Sequence, residues 1–119
     1  MTAEDWTHIL YFKPENFTEP DKMKFRTINA LDMVRHEAGV PIYVSSSYRD
    51  GDPRAHGAGY AVDITDDLHH DGVKGRWVWL VVNAAIKFGF NRIGVYNAHV
   101  HLDMDPNLPP DVMWGGESE

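Results

Sequence analysis

The sequence predicts an α+β domain in which a small, mainly antiparallel sheet is packed by two main helices. Two segments carry apolar residues at helical spacing, and four short segments are rich in apolar and β-branched residues, which is typical of strands. The 119 residues allow one compact domain, 1–119, and leave little room for a second. Apolar residues make up 43% of the chain, which is enough for a packed core.

The first helix is predicted at about Asp21 to Ala38. Residues 1–20 precede it as a turn-rich lead-in that contains Pro14 and Pro20. Four apolar residues recur in the helix at a spacing of three: Phe25, Ile28, Leu31 and Val34. Gly39, followed by Val-Pro, is a helix stop signal.

Two strands are predicted next, at Ile42–Ser45 and Tyr60–Ile64, with residues 46–59 as a polar loop between them. Alternation along the second strand puts Ala61 and Asp63 on one face. An acid at the centre of a strand conflicts with apolar packing, and Asp63 is therefore a candidate functional residue.

The second helix has the most regular pattern and ends at Gly89. Its apolar positions are Trp77, Leu80, Val81, Ala84, Ala85 and Phe88. At 3.6 residues per turn, Trp77 faces the core and Trp79 lies about 200° away, partly exposed. Two further strands, Ile93–Tyr96 and Ala98–Asp103, are joined around Asn97. Residues 104–119 are predicted to be an irregular tail, in which Trp114 is large enough to dock on the core.

Charge and cysteine content narrow the function classes. The chain has 18 acidic residues against 11 Lys and Arg, a formal charge of −7, which argues against a nucleic-acid partner. Cysteine is absent, which excludes disulfides, thiolate zinc fingers and cysteine nucleophiles. The N-terminus lacks the pattern of a secretory signal, and no segment is apolar enough to span a bilayer. We expect a monomer that is cytoplasmic as synthesised, without membrane insertion.

Two short stretches concentrate ionisable residues at strand positions. His99, His101 and Asp103 alternate along one predicted strand and therefore share a face, which could simply be solvated. His56 precedes a glycine-rich turn that leads to the strand carrying Asp63. Two imidazoles and one carboxylate, with water as the fourth ligand, are a ligand set of catalytic zinc.

The order of several motifs resembles the zinc D-Ala-D-Ala carboxypeptidase family, which shares its fold with the hedgehog signalling domain. The matching segments are Ser45–Arg49, His56–Ile64, Gly89-Phe90, Ile93–Tyr96 and His101–Asp103. The likeness covers roughly Asp21 to Asp103.

The resemblance implies that His56, Asp63 and His101 bind one Zn²⁺ per chain. It also implies a proton-transfer or oxyanion role for His99 and binding of a substrate carboxylate by Arg49, for which a structural salt bridge is the alternative. Asp103, on the same face, is expected to orient a ligand histidine or a loop rather than to bind the metal.

One departure from the family pattern concerns the residue two positions before the first ligand. The family usually has serine there, and this chain has Arg54. The departure bears on the substrate and leaves the three metal ligands untouched.

The activity implied is zinc-dependent hydrolysis of a peptidoglycan stem peptide, as a D-Ala-D-Ala carboxypeptidase or as an L,D- or D,D-endopeptidase. The small size of the chain suits a minimal phage endolysin, which would reach the cell wall after membrane disruption. Two alternatives stay open. One is a non-catalytic zinc-bearing binding module of the hedgehog type, and the other is a zinc amidase acting on another cell-wall amide bond.

The remaining polar residues have ordinary interpretations. The cluster from Asp66 to Asp71, which includes His69 and His70, is predicted to be a solvated loop because adjacent histidines cannot converge in an extended segment. His8 and His36 are predicted to lie on the surface.

Overall fold

The computed structural model describes residues 1–67 and 72–117, which form a small α+β domain as predicted. The helices within these residues are α1 (Ala3–Trp6), α2 (Phe25–Ala38), α3 (Ala55–Ala58) and α4 (Gly75–Lys87). The strands are β1 (Tyr43–Ser46), β2 (Ala61–Thr65), β3 (Arg92–Tyr96), β4 (Val100–Asp103) and β5 (Val112–Gly116). Two 3-10 turns, Pro14–Asn16 and Pro20–Lys22, precede α2.

The five strands form one mixed sheet in the order β1-β2-β4-β3-β5. The pairs β1–β2, β2–β4 and β3–β4 are antiparallel, and β3–β5 is parallel. Strands β2, β4 and β3 are therefore each bonded on both edges. Of these, the neighbouring pair β2 and β4 positions the candidate site.

Helix α2 begins at Phe25, four residues after the predicted start. The difference arises because residues 20–22 form a 3-10 turn and Lys24 is extended. Its end agrees with the prediction, since Gly39 follows in the left-handed conformation with φ of +68°. Ile28, Leu31 and Val34 are fully buried, as the spacing of three predicts.

Helix α4 packs against α2, and both contribute to the core. Trp77 is buried and donates its indole N–H to the carbonyl of Pro41 at 2.8 Å. Trp79 is 69% exposed, so the predicted division between the two tryptophans is confirmed. His8 and His36 are exposed, also as predicted.

Three elements lie where the sequence predicted turns or irregular structure. The lead-in at 1–20 contains α1, the loop at 46–59 contains α3, and the tail at 104–119 contains β5. Strand β5 pairs in parallel with β3, with Gly94 opposite Trp114. A pairing partner about 20 positions away along the chain gives no local periodicity, which is why the strand was missed.

Part of the predicted solvated loop can be compared with the structure. Asp67 is exposed and Asp66 is half-buried. His69, His70 and Asp71 lie outside the described residues. Among the residues that are described, the helices are too short or too polar to cross a membrane.

Candidate metal centre

The register of the two central strands brings Asp63 and His101 together. In the antiparallel pair β2–β4, Asp63 lies directly opposite His101. Directly opposed residues project to the same face, where their Cβ atoms are about 5 Å apart. Both side chains are buried, so the acid at the centre of β2 faces a polar partner rather than apolar side chains.

Helix α3 places His56 beside Asp63 and His101. The chain turns sharply around it: a Cβ on Gly57 would lie 1.8 Å from the carbonyl oxygen of Asp52. Gly59 ends α3 with φ of +80°, and a Cβ there would lie 2.4 Å from the carbonyl oxygen of Lys22. Both positions therefore require glycine, and they account for the turn that joins His56 to β2.

Three donor atoms converge at this point. Nε2 of His56 is 3.2 Å from Nδ1 of His101 and 3.3 Å from Oδ1 of Asp63. Nδ1 of His101 is 3.0 Å from the same Oδ1. The three residues are 2%, 5% and 3% exposed for His56, His101 and Asp63, respectively.

Second contacts determine which ring nitrogens face this point. Nδ1 of His56 lies 2.6 Å from the carbonyl oxygen of Ser47, which can only accept, so Nδ1 carries the proton. Nε2 of His101 lies 2.7 Å from Oδ2 of Asp103 and donates to that carboxylate. In the neutral rings, the two nitrogens facing Asp63 therefore present lone pairs.

The triangle has the dimensions of a metal site. Metal–nitrogen bonds of about 2.0 Å in a tetrahedron place neighbouring ligand atoms about 3.3 Å apart. The observed separations of 3.0 to 3.3 Å match three corners of such a tetrahedron. Buried lone pairs directed at one point are unfavourable unless a cation or proton lies between them. The His56, Asp63 and His101 group could hold a metal ion.

The second oxygen of Asp63 is held by Arg49. Nη2 of Arg49 donates to Oδ2 of Asp63 at 2.7 Å, and Nε donates to Ser46 at 3.0 Å. The Arg49 side chain is 41% exposed, and its Nη1 lies 3.7 Å from Asp52. Arg49 thus orients a donor residue and also borders the open side of the site.

His99 stands beside the same carboxylate. It lies just before β4 rather than within the strand, and its Nε2 is 4.0 Å from Oδ2 of Asp63. Its ring stacks on that of Tyr96, with centroids 4.8 Å apart. The alternation predicted for His99, His101 and Asp103 thus brings all three to one region.

Asp103 lies behind His101 and is almost completely buried. Its carboxylate also contacts Nε of Arg92 at 3.1 Å and accepts the backbone N–H of Asp105 at 3.2 Å. Charge and hydrogen bonds together fix this carboxylate, which in turn fixes the ring of His101.

A cleft of about 640 Å³ opens onto the centre and is lined by His56 and His101 themselves. Its walls include Tyr96 and Trp114, and the Trp114 ring lies 5.5 Å from that of His101. Sequence reasoning missed Trp114 as a site residue because it missed β5. The run of valine, methionine and tryptophan at 112–114 was the available signal.

Comparison with family models, with curated proteins and with solved structures finds no match for this chain. The resemblance to the zinc D-Ala-D-Ala carboxypeptidase family therefore stays a prediction from the motifs.

Proposed function

We propose that the centre binds one zinc ion through His56, Asp63 and His101. The donor set supports zinc because it combines two imidazoles with one carboxylate, whereas calcium and magnesium prefer oxygen ligands. The contacts of Ser47 with His56 and of Asp103 with His101 support it further, since each orients a ring so that a lone pair meets the centre.

We further propose that the protein is a zinc hydrolase that cleaves a peptide bond of peptidoglycan. The observation that carries this proposal is the opening of the donor triangle onto a large cleft, because a purely structural metal site is closed by four protein ligands. The substrate class, a peptidoglycan peptide, is inferred from the family resemblance of the motifs at 45–49, 56–64 and 101–103. Zinc, when bound, supplies Lewis-acid chemistry: it polarises a carbonyl group and lowers the pKa of water.

His99 is proposed as the proton-transfer residue. Its ring is partly exposed, and stacking on Tyr96 holds it beside Asp63. From there Nε2 can donate a proton to a leaving amine or a hydrogen bond to a developing oxyanion. Either role contributes on the order of 10²- to 10⁴-fold to the rate.

Arg49 is proposed to have two functions. Through Nη2 it holds Asp63 so that Oδ1 faces the histidines. Its Nη1, at the partly exposed end of the guanidinium, lies 3.7 Å from Asp52 and is proposed to bind a carboxylate of the peptide in place of that ion pair.

The test is hydrolysis of isolated peptidoglycan by the purified protein with zinc, with new amine termini counted and the products identified by mass spectrometry. We expect release by the wild type and by the exposed-histidine variant His8→Ala, and none by His56→Ala. Equal release by wild type and His56→Ala would contradict the proposal. Bound zinc without release favours the binding module, and cleavage between muramic acid and the peptide favours the amidase.

A further inference from the structure

With a divalent metal ion bound, the cleft would be locally cationic in a protein whose formal charge is −7. Three arginines line it, Arg49, Arg54 and Arg92, and their charge is balanced by Asp52 and Asp103 in the wall and by Asp63 at the centre. A divalent metal ion at the centre would therefore leave the cleft with a net positive charge. The cleft therefore favours anionic groups even though the chain as a whole repels them.

Two of the three arginines are engaged by the protein itself. Arg49 donates to Asp63 and Ser46. Arg92 contacts Asp103 and the carbonyl of Pro109, and its guanidinium lies over the Trp114 ring. Both guanidinium groups are thereby held against the wall of the site.

Arg54 differs from these two. Its backbone N–H donates to Oδ1 of Asp52 at 2.7 Å, which fixes the chain just before α3. Its side chain is exposed, and no carboxylate of residues 1–67 or 72–117 lies within ion-pair distance of its guanidinium. Within the described part of the chain, the five N–H donors of the Arg54 guanidinium are therefore available at the cleft wall, two residues before His56.

We propose that Arg54 binds a second carboxylate of the peptide substrate, distinct from the one that meets Arg49, so that the cleft selects acidic peptides over neutral ones. This inference rests on the proposed function. A planar guanidinium on a backbone fixed by Asp52 suits two-pronged binding of a carboxylate. The carboxylate has two sources in a stem peptide: the C-terminus, or the side chain of a diamino acid such as diaminopimelate.

The experiment uses three peptides ending in D-Ala-D-Ala. The parent carries diaminopimelate and a free C-terminus, the second has a C-terminal amide, and the third has lysine in place of diaminopimelate. Each is assayed with zinc-loaded wild type, Arg54→Gln and the control Arg76→Gln, which removes the same charge from an exposed position on α4. Binding of uncleavable analogues, with CH₂–CH₂ replacing the scissile amide, is measured by calorimetry.

We expect Arg54→Gln to weaken binding of the parent analogue by about tenfold or more, with a matching fall in kcat/KM, and Arg76→Gln to change neither. With one of the two peptides that lack a carboxylate, Arg54→Gln should bind the analogue almost as tightly as the wild type does. The carboxylate missing from that peptide is the one that Arg54 binds. Equal losses against all three peptides, or no loss at all, would overturn the proposal. The binding assay separates the two proposals. If Arg54→Gln weakens binding of the analogues as expected but the wild type cleaves none of the peptides, the result supports the role of Arg54 and contradicts hydrolysis.

Discussion

Oδ2 of Asp103 lies 2.7 Å from Nε2 of His101, two positions earlier on the same strand. The contact turns Nδ1 of His101 towards Asp63 and His56. Because Arg92 and the backbone of Asp105 hold the same carboxylate, the orientation of the ring is set by a chain of buried contacts.

Asp103→Asn should therefore weaken metal binding by about 10- to 100-fold. The amide is uncharged and stabilises the imidazole less strongly than the carboxylate does. Competition with a chromogenic chelator measures the affinity, and Asp111→Asn is the control, since Asp111 is exposed and asparagine tolerates its φ of +61°. An affinity equal to that of wild type would show that Asp103 does not position the ligand.

The end of α3 depends on Gly59. Gly59→Ala combines left-handed strain of about 1–2 kcal/mol with overpacking against the backbone of Lys22, typically about 1–3 kcal/mol. Gly39→Ala has the strain alone, because nothing lies within 4 Å of the added Cβ. Denaturant unfolding of both variants should give a clearly larger loss for Gly59→Ala. Equal losses would contradict the close approach of α3 to Lys22.

The parallel strand β5 depends on Gly94. A Cβ at Gly94 would lie 2.6 Å from Nε1 of Trp114, whose indole N–H donates to the hydroxyl of Tyr96. Gly94→Ala should displace the indole and destabilise the fold by about 1–3 kcal/mol, with a changed tryptophan emission spectrum. Gly75→Ala, at the open start of α4, is the control and should be neutral or slightly stabilising. An unchanged spectrum in Gly94→Ala would argue against the docking of Trp114.

Helices α2 and α4 are linked at the surface by Glu37 and Lys87. The hydrogen bond and charge of Lys87 hold the pKa of Glu37 below its usual range. A lowered carboxyl pKa stabilises the fold above the ordinary carboxyl pKa, and this contribution is lost as the pH falls through the lowered value. Lys87→Gln should raise the Glu37 pKa in an NMR titration and lower Tm slightly at neutral pH, with the difference in Tm shrinking in acid and in high salt. An unshifted titration would contradict the pairing.

Local patterns predicted the parts of the fold that carry local signals. Both long helices have apolar stripes, and Gly39 marks the end of α2. Alternation along β4 put His101 and Asp103 on one face, which the structure confirms through their direct contact.

Features that depend on distant parts of the chain could not be predicted in the same way. Strand β5 exists through pairing with β3, and the orientation of His56 depends on the carbonyl of Ser47. A structural salt bridge was open to Arg49 beside its substrate role, but its partner Asp63 follows only from the approach of the 46–59 segment to β2. Likewise, only the structure, through the ion pairs of the other arginines, shows that the Arg54 guanidinium has no carboxylate partner among the described residues.

Metal content tests the centre most directly. Wild type and His101→Ala are folded with zinc, freed of excess metal by gel filtration and measured by elemental analysis, with circular dichroism to verify that both are folded. We predict one zinc per wild-type chain and far less in folded His101→Ala. A folded wild type without zinc would contradict the proposed centre, as would equal zinc in the two proteins.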